Sequence, residues 1–551
     1  LIFAGDPHNF PFRRHDGVFQ VYVPLRDATY AFQPDWPALQ HQDIDLNFVN
    51  DGLWMKAAHA RLGNAVAENL TADITDYRQE KLIINGDVSG SGQDIHDYFR
   101  QTPLAKSLAA TLAQLQIQGK VAGHLNLDIP LDGKQVTATG DVRLNNNSLY
   151  IKPLKTRLTQ MTGQFRYQNG ALESDTLHAQ WYGQPVAFSF STHEQEKDFA
   201  VDIALQSQWH PAALKLLPAS LRSRLSGQLP WQGNVSIRLP YHGGADYQVA
   251  IKGDAKEVSS HLPSPLSKDS GSAFPFEINV KGDLNSFLLS GSAGKDQKFI
   301  SRWLLEPQFR LDRGQWQDHT SKLPALPASP SMILNLPALQ GEEWLALFGG
   351  NQSDNNALKT TGEPFNLPGN ITLHTPSLSL GGQNWNDLTV LLSRSVDGAT
   401  RIAANGKEIR GQLQINPHRP WQVNFDYLYY NPQWSSGSNP SLTDTTAQKY
   451  NFGQWPALQL DCAQCWLTGQ NLGKLSARLT PSDGKLVLTN GLLDAGHTRL
   501  NVSGEWDQSG SRSRTSLKGE VTSHNITRTL QWFGVNSPLQ SAPVKLDYDL
   551  H

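Results

Sequence analysis

Cysteine is nearly absent. The 551 residues carry two, Cys462 and Cys465, and they form the only C-x-x-C. A cysteine-based zinc site would need a second pair or histidines at set spacings, and none accompany this one. A thioredoxin-like redox motif would sit in a βαβ unit, and the flanking pattern is not one. Three readings stay open: a local disulfide, two buried thiols, or redox or metal work. Sparse cysteine confined to one pair suits an oxidising compartment. Long apolar runs are missing too. Nothing approaches 18 consecutive apolar residues, so no stretch reads as a membrane-spanning helix. An excess of either charge is also missing. With 47 basic and 50 acidic residues the net charge is -3, which gives no footprint for nucleic acid and no pull toward an anionic membrane. The chain starts at Leu1 without an initiator Met or a signal-peptide pattern, and it ends just after an alternating run. It reads as a piece of a longer protein, with any membrane anchor expected outside it.

Catalytic motifs are equally scarce. Gly291-Ser292-Ala293-Gly294-Lys295 is the nearest approach to a phosphate loop. Leu289 stands where the first glycine belongs, and Asp296 stands where Ser or Thr belongs. Gly90-Ser91-Gly92 lacks the third glycine of a dinucleotide loop. No G-x-S-x-G elbow occurs. His41, Asp43 and Asp45 would share one strand face, where a metal could bind, but a solvated face is the simpler reading. Asp94, His96 and Asp97 open a helical stretch, where acids complement the dipole. No catalytic residue, metal or cofactor is expected.

What is present is alternation. Mean hydropathy is -0.44, yet 15 Trp, 21 Phe and 14 Tyr leave much to bury. From Gln135 to Asn145, Val136, Ala138, Gly140, Val142 and Leu144 fall on one face and polar residues on the other. In Trp421–Tyr427, Trp421, Val423, Phe425 and Tyr427 oppose Gln422, Asn424 and Asp426. Leu125-Leu127-Ile129, Val201-Ile203-Leu205, Val235-Ile237-Leu239, Tyr247-Val249-Ile251, Leu413-Ile415 and Leu500-Val502 repeat the pattern. Period two marks strands with one dry and one wet face. Asp-Gly or Asn-Gly pairs punctuate the chain from Asp16-Gly17 through Asn85-Gly86 and Asn169-Gly170 to Asn490-Gly491, and predict hairpin turns. A weak strand-level repeat links the stretches beginning at Gly163, Asp387 and Lys474.

Helical spacing is rare. Leu104, Leu108, Leu112 and Leu115 follow Thr102-Pro103. Leu214, Leu217, Leu221 and Leu225 follow Pro211, with Pro218 as a break. Glu342–Phe348 and Asn525–Phe533 are shorter candidates. Stretches 317–330, 351–369 and 431–450 have loop composition. The expected class is mostly β: an elongated antiparallel sheet with a few short amphipathic helices. Its β segments are 1–90, 119–208, 227–430 and 453–551. Helical inserts fill 91–118 and 209–226, a polar loop 431–452, and a short helix lies near 525–533. The dry face must be covered by another sheet, by closure into a barrel, or by lipid chains lining a trough. Helices too few to cover so large a sheet lean toward the trough.

Three tracts then carry a resemblance. One is Leu500–Trp506 with Thr515–Val521, Asn525-Ile526, Leu530–Gly534 and Ser537–Leu546. The second is Ser259–Lys268, and the third is Phe10-Pro11-Phe12 with Gly17-Val18-Phe19 and Asp35-Trp36-Pro37. In this order the chain resembles a middle-to-late stretch of a long member of the AsmA-like family of bacterial envelope proteins. The resemblance implies a periplasmic, inner-membrane-tethered, taco-like β-groove that conducts phospholipids between inner and outer membrane without catalysis. Phospholipids would then be the partners, with both membranes reached through parts outside this chain. The groove lining would be Leu125, Leu127, Ile129, Val136, Ala138, Val142, Leu144, Val201, Ile203, Leu205, Val235, Ile237, Tyr247, Val249, Ile251, Leu413, Ile415, Val423, Phe425, Leu500 and Val502. The competing expectation is a structural or adhesive protein of stacked β-sandwiches, in which the same residues form a dry core.

Overall fold

A computed structural model of the chain describes residues 1–31, 34–106, 108–134, 136–215, 217–348, 367–417, 419–433, 455–482, 484–509, 513–532, 534–539 and 541–551. Gln135, Phe533, most of the expected loops at 351–369 and 431–452, and the side chains of Leu104 and Leu108 lie outside the described residues. Strands dominate, as the alternation predicts. The chain divides into two compact units. The first is Leu1–Ser260, Lys268–Lys295 and Leu304–Pro307; the second is His261–Ser267, Asp296–Trp303 and Gln308–His551.

In the first unit antiparallel pairing runs from strand to strand. It passes through Val18–Tyr30, Leu39–Val49, Gly52–Leu62, Ala65–Ile74 and Lys81–Ser91. It continues through Lys120–Pro130, Thr137–Ile151 and Thr156–Gln168 to Leu177–Trp181 and Gln184–Glu194. Asp198–Trp209, Leu229–Pro240, Asp246–Asp254, Pro275–Gly282 and Ser286–Ala293 complete it. At Asn169-Gly170 both residues take positive φ, 49° and 89°, as a tight hairpin turn demands. Two other Asn-Gly pairs do not turn. Asn85-Gly86 lies inside Lys81–Ser91, where a Cβ on Gly86 would come 2.4 Å from Leu70 Cδ2, so close packing explains the glycine. Asn490-Gly491 lies inside Lys485–Asp494. There Asn490 takes φ 51° beside a register shift, which makes a β-bulge.

The second unit is mixed rather than purely antiparallel. Met332–Asn335 pairs parallel with both Arg310–Gln317 and Asn370–Leu380, and Trp421–Tyr430 pairs parallel with Leu458–Leu467. Parallel neighbours need a long crossover, and the Pro-, Ser- and Asn-rich stretches fall between these strands and supply that length. Leu339–Gln340 also pairs parallel with Asn370–Leu380, and two further sets of strands are antiparallel. One set is Asn370–Leu380, Gln383–Arg394, Thr400–Asn405, Ile409–Ile415 and Trp421–Tyr430. The other is Leu458–Leu467, Gln470–Ser482, Lys485–Asp494, Thr498–Asp507, Arg514–Ser523 and Val544–Leu550.

Among the described residues, the α-helices longer than a single turn are α1 (Gly92–Phe99), α2 (Leu108–Gln114), α3 (Gly341–Phe348) and α4 (Ile526–Trp532). Ser91 and Asp94 cap α1 reciprocally. The Asp94 N–H donates to Ser91 Oγ and the Ser91 N–H to Asp94 Oδ2, both at 3.1 Å, so Asp94 is a capping residue. The Leu214–Leu225 stretch is no continuous helix. Pro211–Ala213 makes a 3₁₀ turn and Ala219–Arg222 one α-turn, while Leu225 enters a two-residue strand beside Ser260. Two prolines in eight residues interrupt the helical hydrogen bonds. No helix among the described residues is long and apolar enough to cross a membrane.

Buried apolar residues concentrate in the first unit. One cluster joins Leu144, Leu177, Phe188, Phe199, Val201, Trp231, Ile237 and Tyr247, and a smaller one joins Leu53, Ile74, Leu82 and Ile129. Trp181, Trp209 and Trp231 meet edge to face, with centroids 4.9–6.0 Å apart. In the second unit the buried apolar residues among those described are few: Leu262, Ile300, Leu311, Leu347, Leu388, Cys462 and Cys465.

Cys462 and Cys465 are joined by a disulfide, with Cα atoms 6.0 Å apart. Three residues apart in a regular strand, they would point to opposite faces. A bulge turns them to one side: Cys462 opposes Leu475 while Cys465 opposes Gly473. The neighbouring strand bulges in step: Phe425 stays beside Cys462 and Leu428 beside Cys465, while on its other side the register shifts between Gly411–Phe425 and Arg410–Tyr427. The expected alternation therefore breaks after Phe425, and Tyr427 leaves the row of Val423 and Phe425. Closing so short a loop is worth roughly 2 kcal/mol. Replacing both cysteines by alanine should lower the unfolding temperature of the second unit by about 5 °C. Unchanged melting in calorimetry would show that the bulge holds without its staple.

Candidate functional site

Each unit presents an apolar face, and the two faces differ in how far they are filled. In the first unit an apolar cavity of about 280 Å³ lies on the inner side of the sheet. Leu125, Leu127, Ala138, Val142, Leu144, Val201 and Ile203 line it together, so seven of the expected groove residues converge. Ile129 and Val136 belong to the smaller buried cluster beside it. Leu205, Val235, Ile237, Tyr247, Val249 and Ile251 belong to the larger cluster, where the inner face is packed: Ile237 is 0% and Val201 1% exposed. Burial pushes the Tyr247 phenol up to about 12, so it stays neutral.

The alternation did not reveal every residue of the cavity wall. Ile95, Tyr98 and Phe99 of α1 and Leu112 of α2 line it from the helical side. Their signal was present in the sequence, since Ile95, Tyr98 and Phe99 recur at i, i+3 and i+4. Burial raises the Tyr98 phenol to about 12 as well, and its ring packs on Trp36 with centroids 6.4 Å apart. His124 Nδ1 lies 3.0 Å from Asp87 Oδ1, and hydrogen bonds from His124 and Asn69 hold the Asp87 carboxyl below its ordinary range.

In the second unit the expected residues align in cross-strand rows, which places them on one face. Leu392, Ile402, Leu413, Val423 and Leu460 are successive partners. A second row runs Phe425, Cys462, Leu475, Leu493, Leu500 and Val521. Val502 stands between Gly491 and Gly519, and Ile415 faces Thr400. All six expected residues here (Leu413, Ile415, Val423, Phe425, Leu500 and Val502) are half-buried. This is a wall with one side accessible.

His41 pairs with Asp27 at 2.8 Å and Asp45 with Arg26 at 3.0 Å, while Asp43 accepts the Asp27 N–H, so His41, Asp43 and Asp45 do not converge. No group of three or more His, Cys, Asp or Glu among the described residues is arranged to hold a metal. Gly291 to Ala293 finish a strand rather than opening a helix.

The family model described as YhdP protein matches residues 1–551. The chain belongs to the YhdP family. It is 45% identical over 554 residues to the protein named intermembrane phospholipid transporter YhdP of Escherichia coli (strain K12). That match takes in 100% of this YhdP-family chain and 43% of the relative, so the chain spans less than half the length of the protein it matches. No solved structure matches.

Proposed function

We propose that this chain forms part of a non-catalytic conduit along which phospholipids move between two membranes, their tails on its apolar face and their headgroups in solvent. The supporting observation is the half-exposed apolar rows of the second unit, which Leu413, Val423, Phe425 and Leu500 share. The name of the E. coli relative, intermembrane phospholipid transporter, points the same way. Moving a pair of acyl tails through water costs about 0.8 kcal/mol per CH₂, on the order of 20 kcal/mol or more in total. A wall with apolar residues at every second position removes most of that cost and needs no specific pocket. Direction must come from elsewhere, because such a wall leaves the lipid free-energy difference between membranes unchanged. In this reading the chain works in the periplasm and is tethered to the inner membrane by a segment outside it.

A photo-reactive residue at Leu413 in the full-length protein should capture phospholipid in cells, whereas one at the exposed neighbour Gln414 should not. Equal capture at both positions, or none at Leu413, would sink the proposal. The packed inner face around Ile237 supports a second reading for the first unit, in which that stretch is a load-carrying core rather than a passage.

A further inference from the structure

Helices α1 and α2 sit where an acyl chain would lie. Ile95, Tyr98, Phe99 and Leu112 line the first unit's cavity opposite Leu125 and Val142. With the helices in place about 280 Å³ remains, at the low end of sites for small molecules and too little for a two-tailed lipid. The attachment of the helices to the sheet is unusual. Lys81–Ser91 and Lys120–Pro130 pair directly, with Ser91 opposite Lys120. The excursion therefore leaves and rejoins the ladder at two facing residues. Gly92 N–H donates to Gly119 O at 3.3 Å to close its base. Both ends are glycines with reason: Gly119 takes φ +97°, and a Cβ on Gly92 would lie 2.0 Å from Ile117 O. Apart from the short strand Leu115–Gln118, which pairs with Ser148–Ile151, the ladder beneath does not depend on it.

We propose that α1 and α2 form a displaceable plug, which occupies the apolar wall of the first unit until a phospholipid tail replaces it. The exchange is close to neutral for the wall. Helix side chains and acyl chain bury the same apolar surface, so neither state exposes it to water. The proposal rests on the conduit reading and specifies its regulation.

Two changes in the full-length protein test it, read by phospholipid adducts on photo-reactive residues at Leu125 and, separately, at Leu413. In the first, residues 92–119 are replaced by Asn-Gly, so that Ser91 and Lys120 close a two-residue hairpin. Capture at Leu125 should rise several-fold. In the second, Trp36→Cys and Tyr98→Cys are joined by a short photocleavable bis-maleimide, which pins α1 to the loop its ring already touches. Capture at Leu125 should fall to background and return on cleavage. Should the shortened chain fail to fold, the pinned pair decides alone. Undiminished capture at Leu125 in the pinned protein overturns the plug while leaving the conduit standing. Loss of capture at Leu413 in the unmodified protein overturns the conduit itself.

Discussion

Replacing Ile237 by aspartate should unfold the first unit. Ile237 is 0% exposed and stands between Val201 and Tyr247 in the ladder, themselves 1% and 3% exposed. Removing its branched side chain costs about 2–5 kcal/mol, as for other large-to-small core changes. Burying a carboxyl without a partner adds at least ~2 kcal/mol more, even if it folds protonated. The sum is comparable with the whole stability of an ordinary domain, ~5–15 kcal/mol. Circular dichroism and thermal unfolding should show lost structure, while Asn234→Asp on the exposed face of the same strand should melt like the parent. A folded Ile237→Asp chain with near-parental melting would mean that the inner face is open there after all.

The matching change in the second unit should have the opposite signature. Phe425→Arg should leave the protein folded and abolish transport. Phe425 is half-buried, between Gly411 and Cys462, so a long side chain can carry its guanidinium out to water along the wall. The stability cost should stay near 1 kcal/mol, typical of substitutions outside a sealed core. For a passing acyl chain the change is severe. A guanidinium set in an apolar path costs ~3 kcal/mol on insertion scales. That much added barrier slows passage roughly a hundredfold. Normal lipid transport in cells with normal protein levels would refute the conduit at this position.

The contrast between these two positions also marks what the sequence made legible. Alternation located the strands and sorted their faces. Val142 and Leu144 share a cavity with Val201 and Ile203, and Leu413 stands beside Val423, because period two dictates the side on which a residue falls. Alternation could not say whether a face meets another wall. Ile237 and Phe425 sit in equally regular runs, yet one is sealed and the other half-open, since the difference depends on how distant strands curl. Pairing direction was hidden for the same reason: nothing within Trp421–Tyr430 states that its next neighbour runs parallel. Turn chemistry was informative at Asn169-Gly170 and misleading at Asn85-Gly86 and Asn490-Gly491. Glycine there answers to close packing and a bulge, which use the same residue as a turn. The leucine spacing from Leu214 to Leu225 was outweighed by Pro211 and Pro218. The helical contribution to the cavity was readable in Ile95, Tyr98 and Phe99, but only once their facing wall was known.

The order of pairing bears on how such a chain folds. In the first unit almost every strand joins the one made just before it, so each addition closes only a short loop and loses little chain entropy. A chain delivered from its N-terminal end could add strands as they emerge, with each exposed edge waiting only for the next one. The parallel joins of the second unit break that rhythm. Leu458–Leu467 cannot dock on Trp421–Tyr430 until the residues between them have also been delivered. Until then the edge of Trp421–Tyr430 stands unpaired, a template for the wrong partner. The hazard of misassembly is thus concentrated at a few joins, and a holdase would be needed most there.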